Sequence, residues 1–223
     1  MAATRDSGIG SSVTAGDIDA AVAAAGLSSL PSGAAERFAA YLQLLLRWNS
    51  RLNLTAVREP HEIVRRHFVE CIQCAQILPS IKTLLDFGSG AGLPGIPIAI
   101  ARPEIRVTLG ESQGKKAAFL REVMRVLSLN VEVYDGRIEK MPADNTFDAV
   151  TLRAVDKMAE ACRVAIQKVS PDGWLAVFAT ASTARGLEQL PEISWEKHIP
   201  IVGLDDGLLL IGQKQNVSRG TPA

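Results

Sequence analysis

Between residues 17 and 79 apolar side chains recur mainly at three- and four-residue intervals, with no convincing strand. That periodicity predicts helices. Asp17 is placed to cap a first helix over Ile18–Ala25, with Gly26 to end it. Pro31 and Ser32 open a second helix, whose Phe38, Tyr41, Leu42, Leu45 and Trp48 follow the helical period. Asn53-Leu54-Thr55 breaks the pattern. Glu59-Pro60 then starts a third helix carrying Ile63, Val64, His67, Phe68, Cys71 and Ile72 on one side, and Pro79 closes it.

The rhythm changes at Lys82. A short apolar run, Thr83–Asp86, stops at a glycine-rich loop. Beyond it, runs of strand character (Arg106–Leu109, Val131–Tyr134, Phe147–Leu152, Trp174–Phe178) alternate with helical ones (Ile96–Ala101, Lys115–Leu127, Met158–Lys168). Such alternation predicts an α/β fold, Rossmann-like, with a mostly parallel sheet covered on both faces. Two further strands, around Trp195–Val202 and Leu208–Gln213, flank the turn signal Asp205-Asp206-Gly207, so a C-terminal antiparallel hairpin is expected. The expected division is a flexible tail over 1–16, an N-terminal helical extension over 17–80 and the sheet domain over 81–215.

Composition narrows the classes little. The 223 residues hold 24 Lys or Arg and 24 Asp or Glu, so the net charge is zero and any nucleic-acid contact must rest on local patches. Three cysteines, an odd and low number, fit a reducing compartment better than a disulfide scaffold. Met1–Gly16 lacks the apolar stretch of a signal peptide, and no run approaches a membrane span. A cytoplasmic protein without a membrane partner is expected. Cys71-Ile72-Gln73-Cys74 lies inside a predicted helix and has no second ligand pair, so packing is expected there, not metal or redox chemistry. His61 and His198 read as surface residues, His67 as a hydrogen-bonded structural one. Trp174 and Trp195 read as core, and Trp48 as the seam between helical extension and sheet.

The chemistry concentrates in Asp86-Phe87-Gly88-Ser89-Gly90-Ala91-Gly92-Leu93-Pro94-Gly95, between the first strand and a helix. Glycines here allow a sharp turn and close approach to a ligand, and amides at the helix start can meet its polar groups. Gly90 to Gly95 also matches the dinucleotide pattern G-x-G-x-x-G. With the strand ending at Asp86, however, the first tight-turn glycine is Gly88, and counted from there the third pattern position is Leu93. An acid followed by the alternating Gly88, Gly90 and Gly92 suits a methionine-bearing nucleoside better, with Asp86 ordering the loop and meeting the ligand's ammonium. Glu111, at the end of the second strand, can accept both ribose hydroxyls, a role common to both ligands. Ile138 and Glu139, after the third strand, can offer the adenine an apolar face and a polar contact. Arg153 ends a buried strand, which favours either a functional role or a salt bridge to Glu139 or Asp86.

With those residues in view, the chain resembles the bacterial ribosomal small-subunit methyltransferase G family, also called glucose-inhibited division protein B. The likeness runs from Trp48-Asn49-Ser50-Arg51-Leu52-Asn53-Leu54-Thr55-Ala56 through Arg66-His67-Phe68 and the loop Asp86–Pro97. It continues with Arg102-Pro103, Ser112-Gln113-Gly114-Lys115-Lys116, Phe119-Leu120-Arg121 and Arg153-Ala154. The resemblance implies a class I methyltransferase fold and methylation of a guanine N7 in 16S ribosomal RNA of the 30S subunit, near the decoding centre. S-adenosyl-L-methionine would be the donor, with Gly88, Leu93, Ile138, Glu139 and Arg153 contacting it. No metal is implied, and a monomer is expected. The chain departs from the family at Val155, where an aromatic usually follows Arg-Ala, and at Ala179-Thr180-Ala181-Ser182, where a Lys-Gly motif is usual. A ribosome-assembly RNA-binding protein without catalysis, and a methyltransferase of another substrate, are the alternatives.

Guanine N7 carries a lone pair and no proton, so attack on a methyl group needs no general base, in keeping with the lack of an evident nucleophile–base pair. For RNA, residues 47–67 hold five arginines, Arg51, Arg58 and Arg66 among them, against two glutamates. A second patch sets Lys115, Lys116, Arg121 and Arg125 against Glu122. Either can bind phosphates or be a solvated helix face.

Overall fold

The alternating segments assemble into one seven-stranded sheet. In the computed structural model, which describes residues 12–215, the strands are β1 (Thr83–Phe87), β2 (Arg106–Glu111), β3 (Val131–Asp135), β4 (Phe147–Arg153), β5 (Val169–Thr180), β6 (Ile193–Pro200) and β7 (Gly207–Lys214). Their order is β3-β2-β1-β4-β5-β7-β6. The first five pair in parallel, and β7 runs antiparallel between β5 and β6. The terminal hairpin is therefore present, with its second strand inside the sheet and its first at the edge. Strand order reverses beside β1, which is flanked by β2 and β4, and the crevice at such a switch point is where α/β sheets bind ligands.

Helices α1 (Ala15–Ala24), α2 (Ala34–Leu52), α3 (Pro60–Ile63) and α4 (Val69–Ile77) precede the sheet, with a π-helical turn at Val64–Phe68 joining the last two. The first cap differs from expectation. Thr14 is the N-cap of α1, and Asp17 returns a hydrogen bond to it as the N3 member of a capping box. Residues 1–11 of the expected tail lie outside the described residues; Val13 is already buried in the core. Likewise α2 starts after Gly33, which sits at φ 76°, and not at Pro31. Helices α5 (Gly95–Ala101), α6 (Gly114–Leu127) and α7 (Met158–Lys168) follow their strands as expected.

Two features depart from the pattern. Strand β5 begins at Val169, its register with β4 shifting across Ser170–Gly173, residues that read as a loop. The short α8 (Ala181–Leu187) was unexpected because only Ala184 and Leu187 are buried; Thr180 caps it by accepting from Thr183 N. Trp174 and Trp195 are half-buried, less enclosed than core residues.

One sheet face joins Leu84, Val107 and Leu109 in a single cluster with Phe38, Tyr41, Leu42, Phe68 and Phe119. The other packs Leu85, Phe87, Val150 and Leu152 against Cys162, Ala165 and Ile166. The helices before the sheet are thus layered directly onto it. Trp48 marks the contact: its indole N–H donates to Glu122 of α6 at 2.9 Å and its ring meets Phe119. Cys71 and Cys74 are buried in α4 as free thiols. Among the described residues no helix is long and apolar enough to cross a membrane, and no three His, Cys, Asp or Glu side chains cluster as metal ligands.

Candidate active site

The loop after β1 turns on left-handed glycines: Gly88 at φ 69°, Gly90 at 55° and Gly92 at 88°. Ser89 N donates to the Gly110 carbonyl at 2.9 Å, tying the loop to β2. Asp86 lies beneath it, 1% exposed, accepting from Gly95 N at 3.1 Å and from the Thr151 hydroxyl at 3.0 Å. Burial raises its pKa to about 6 against those hydrogen bonds. Asp86 orders the loop, as expected, and does not itself line the cavity above it. The alternation of the strand explains this, because Asp86 shares the Leu84 side and is enclosed by α5. Gly92 also lies outside the lining. A Cβ there would come 2.3 Å from Ile96 Cδ1 and 3.1 Å from Leu120 Cδ2, so its glycine serves packing.

A cavity of about 970 Å³ opens at the carboxyl ends of β1, β2 and β4. Gly88, Gly90, Leu93, Glu111, Ile138, Glu139 and Arg153 all line it. Glu111 is 6% exposed and accepts from Gly90 N at 2.9 Å and Gln113 N at 2.7 Å. Two amides thus orient the carboxylate, which retains further acceptor positions toward the cavity. Ile138 packs on Gly110, where a Cβ would come within 2.4 Å of it, and so forms an apolar floor beside Glu111. The turn bearing Ile138 and Glu139 is pinned from behind by Lys168, a buried ammonium donating to the carbonyls of Met141 at 2.8 Å and Pro142 at 2.7 Å.

Arg153 does form an ion pair, but with neither Glu139 nor Asp86. Its partner is Glu70 of α4, at 2.7 Å, whose side chain is 3% exposed. The same Nη2 meets His67 Nδ1 at 2.9 Å, and the guanidinium lies 5.7 Å above the Phe178 ring. Desolvation raises the Glu70 pKa while Arg153 opposes it; His67 is pushed down to about 4, by burial first and then by Arg153 and Arg66. His67, Glu70 and Phe178 line the cavity, and the sequence had not marked Glu70 or Phe178. The available signal for Glu70 was a carboxylate inside the apolar run Phe68–Ile72, which requires a buried partner.

Of the basic residues considered for RNA, Arg66 and Lys116 line the cavity. Arg51, Arg58, Lys115 and Arg121 are exposed beyond it. Arg66 pairs with Glu62 at 3.4 Å and Arg121 with Asp135 at 3.0 Å.

The sequence profile of rRNA small subunit methyltransferase G matches residues 34–198, from the first residue of α2 to β6. The chain belongs to the rRNA small subunit methyltransferase G family. A ribosomal RNA small subunit methyltransferase G of Xanthomonas euvesicatoria pv. vesicatoria is 39% identical over 189 residues, covering 78% of this chain and 89% of the relative. One of Stenotrophomonas maltophilia is 42% identical over 152 residues, 68% and 71% of the respective chains. Among solved structures, TYW2 of P. horikoshii in complex with MeSAdo aligns with a TM-score of 0.56 at 13% identity, covering 67% of this chain and 63% of that one. The mitomycin 7-O-methyltransferase MmcR aligns at 0.57 and 18%, covering 76% and 60%. These likenesses show a class I methyltransferase fold. The methyltransferase G match takes in α2 to α4 together with strands β1 to β5 and most of β6, so the segments that supply His67 and Glu70 lie within the matched region. Ile201, Leu204, Asp206 and Gly207, on the far cavity wall, lie beyond it.

Proposed function

We propose that this methyltransferase transfers a methyl group from S-adenosyl-L-methionine to N7 of a guanine in 16S ribosomal RNA, acting on the 30S subunit in the cytoplasm. The observation that carries the reading is Glu111: a carboxylate at the cavity, oriented by two amides, one of them from the glycine turn itself. The residues present fit the donor. Glu111 accepts the ribose hydroxyls, and Ile138 meets the adenine face with Glu139 at its edge. Gly88, Gly90 and Leu93 leave backbone room for the amino-acid end, which Arg153 helps to hold. Asp86 and Gly92 serve the same site indirectly, by fixing the loop. When bound, the donor supplies a methyl group on a positively charged sulfur.

The protein's part is alignment and exclusion of water. Guanine N7 has no proton to lose, so no side chain acts as general base, and the strongly depressed pKa of His67 leaves that ring neutral at physiological pH. Arg51, Arg58, Arg66, Lys115, Lys116 and Arg121 surround the approach and would contact RNA phosphates.

Calorimetry tests the donor site. Wild type is expected to bind S-adenosyl-L-methionine, while Gly88→Asp, a bulky anion at φ 69°, abolishes binding with little loss of folding. Incubating 30S subunits with labelled donor and mapping N7-methylguanine by reduction and aniline cleavage tests the acceptor. One modified guanine in 16S RNA is expected. Unlabelled RNA alongside intact donor binding would reject the assignment in favour of another substrate or a binding role.

A further inference from the structure

His67 lines the cavity, and its role rests on the reading of that cavity as a methyl-transfer site. His67 occupies the π-helical turn Val64–Phe68, a departure from α geometry that commonly marks functional sites. Its two ring nitrogens reach two different segments of the cavity lining. Nδ1 lies 2.9 Å from a guanidinium nitrogen of Arg153, and Nε2 lies 2.9 Å from the Thr55 hydroxyl oxygen. Arginine has only donors, so Nδ1 accepts and Nε2 carries the hydrogen, which Thr55 receives. Thr55 also accepts from Val57 N at 3.2 Å, and Asn49 clamps its backbone by two hydrogen bonds of 3.0 Å. The segment so held, Leu54–Val57, forms the wall that leads to Arg58. On the other side Arg153 is fixed by Glu70 at the end of β4, next to Ala154 and Val155 of the donor end.

We propose that His67 is a positioning residue that couples the RNA-side wall to the donor-side wall, holding Thr55 through Nε2 and Arg153 through Nδ1. A ring with one fixed tautomer transmits a shift of either partner to the other. Ordering of Leu54–Arg58 by RNA therefore steadies Arg153, and donor binding at Arg153 steadies the RNA wall. Reciprocal coupling of that kind requires each ligand to tighten the other by the same factor.

Variants that imitate one nitrogen at a time separate the two arms. His67→Asn retains an acceptor near Nδ1, His67→Gln retains a donor near Nε2, and His67→Leu retains neither. Donor affinity is read by calorimetry with and without saturating 30S subunits, and kcat and KM for 30S subunits by methyl incorporation. For His67→Leu, donor affinity falls about tenfold, the scale of a hydrogen bond to a charged group, and the tightening by 30S disappears. His67→Asn restores donor affinity but keeps a raised KM for 30S subunits. His67→Gln does the reverse, and Thr55→Val raises that KM and abolishes the tightening of donor by 30S subunits while leaving donor affinity in their absence unchanged. Uniform loss of melting temperature across all variants, with both affinities and their coupling unchanged, would overturn the assignment alone. Wild type that binds donor but leaves 30S subunits unmodified, or binds no donor, would overturn the methyl-transfer reading and the assignment with it.

Discussion

Two buried titrating groups near the cavity pull stability in opposite directions as pH changes. Asp86, with its pKa raised to about 6, binds a proton more readily when folded than when unfolded. Its contribution is present in acid and is lost as pH rises through about 6; Glu70, also raised, acts in the same sense. His67 does the opposite. Its pKa falls from 6.5 to about 4, so the unfolded chain takes the proton first and stability is lost as pH falls through that interval. The two slopes offset one another between pH 4 and 6, leaving the wild type flatter than either group alone. Asp86→Asn is expected to steepen the loss of stability on acidification, by up to about 3 kcal/mol over the interval at 1.36 kcal/mol per pKa unit. His67→Gln should turn the slope the other way, with stability rising as pH falls from 6 to 4, because Asp86 and Glu70 then act unopposed. Urea denaturation at pH 4, 5, 6 and 7 reads both; curves parallel to wild type for both variants would show that neither group titrates as described.

At the level of elements, the helices ahead of the sheet hold the donor loop directly. Tyr41 of α2, fully buried and stacked on Phe68, donates its hydroxyl to the Ala91 carbonyl at 2.5 Å. Tyr41→Phe leaves that carbonyl without a partner in a dry site, at about 1–3 kcal/mol. The cost should appear in urea denaturation together with weaker donor binding, since Ala91 lies within the glycine turn. An unchanged donor affinity would mean that the loop holds its own shape. The strands, α5 to α7 and the glycine turn were legible in the sequence because period and turn residues signal them locally. Tyr41 read only as an apolar position on α2, because its hydrogen bond joins residues 50 apart in the chain. A longer separation, 83 residues, concealed Glu70 as the partner of Arg153, and the burial of Asp86 under α5 is a packing feature that the strand pattern alone does not signal. The π-helical turn and α8 escaped for another reason: their compositions carry no period or breaker distinguishing them from a continuing helix or a loop.

For the whole molecule, packing of α2 on α6 brings together two basic segments that are distant in sequence. Arg47 pairs with Glu122, and the Trp48 indole donates to the other oxygen of the same carboxylate. Residues 47–66 and 115–125 therefore lie on either side of one seam, and each sends a cation to the cavity lining, Arg66 and Lys116. A neutral chain thus has a basic border where the proposed RNA would approach. The cations in that border are not equivalent. Arg121 must exchange Asp135, and Arg66 must exchange Glu62, for a phosphate. Arg51, Arg58 and Lys115 are exposed with no salt bridge among the described residues, so phosphate binding costs them no existing pair. If these three contact 30S RNA, replacing all three by Gln removes about three phosphate contacts. The slope of log affinity against log salt should then become shallower by about 2–3. Arg121→Gln should change the slope less than Arg58→Gln, because one anion competes with another at that site. Donor affinity measured without RNA should remain within about twofold in every case, since none of these side chains lines the cavity. Filter binding of 30S subunits across a salt series measures the slopes. A triple variant with the wild-type slope would identify the border as a solvated helix surface and move the search for the RNA contact to the far wall around Leu204 and Asp206.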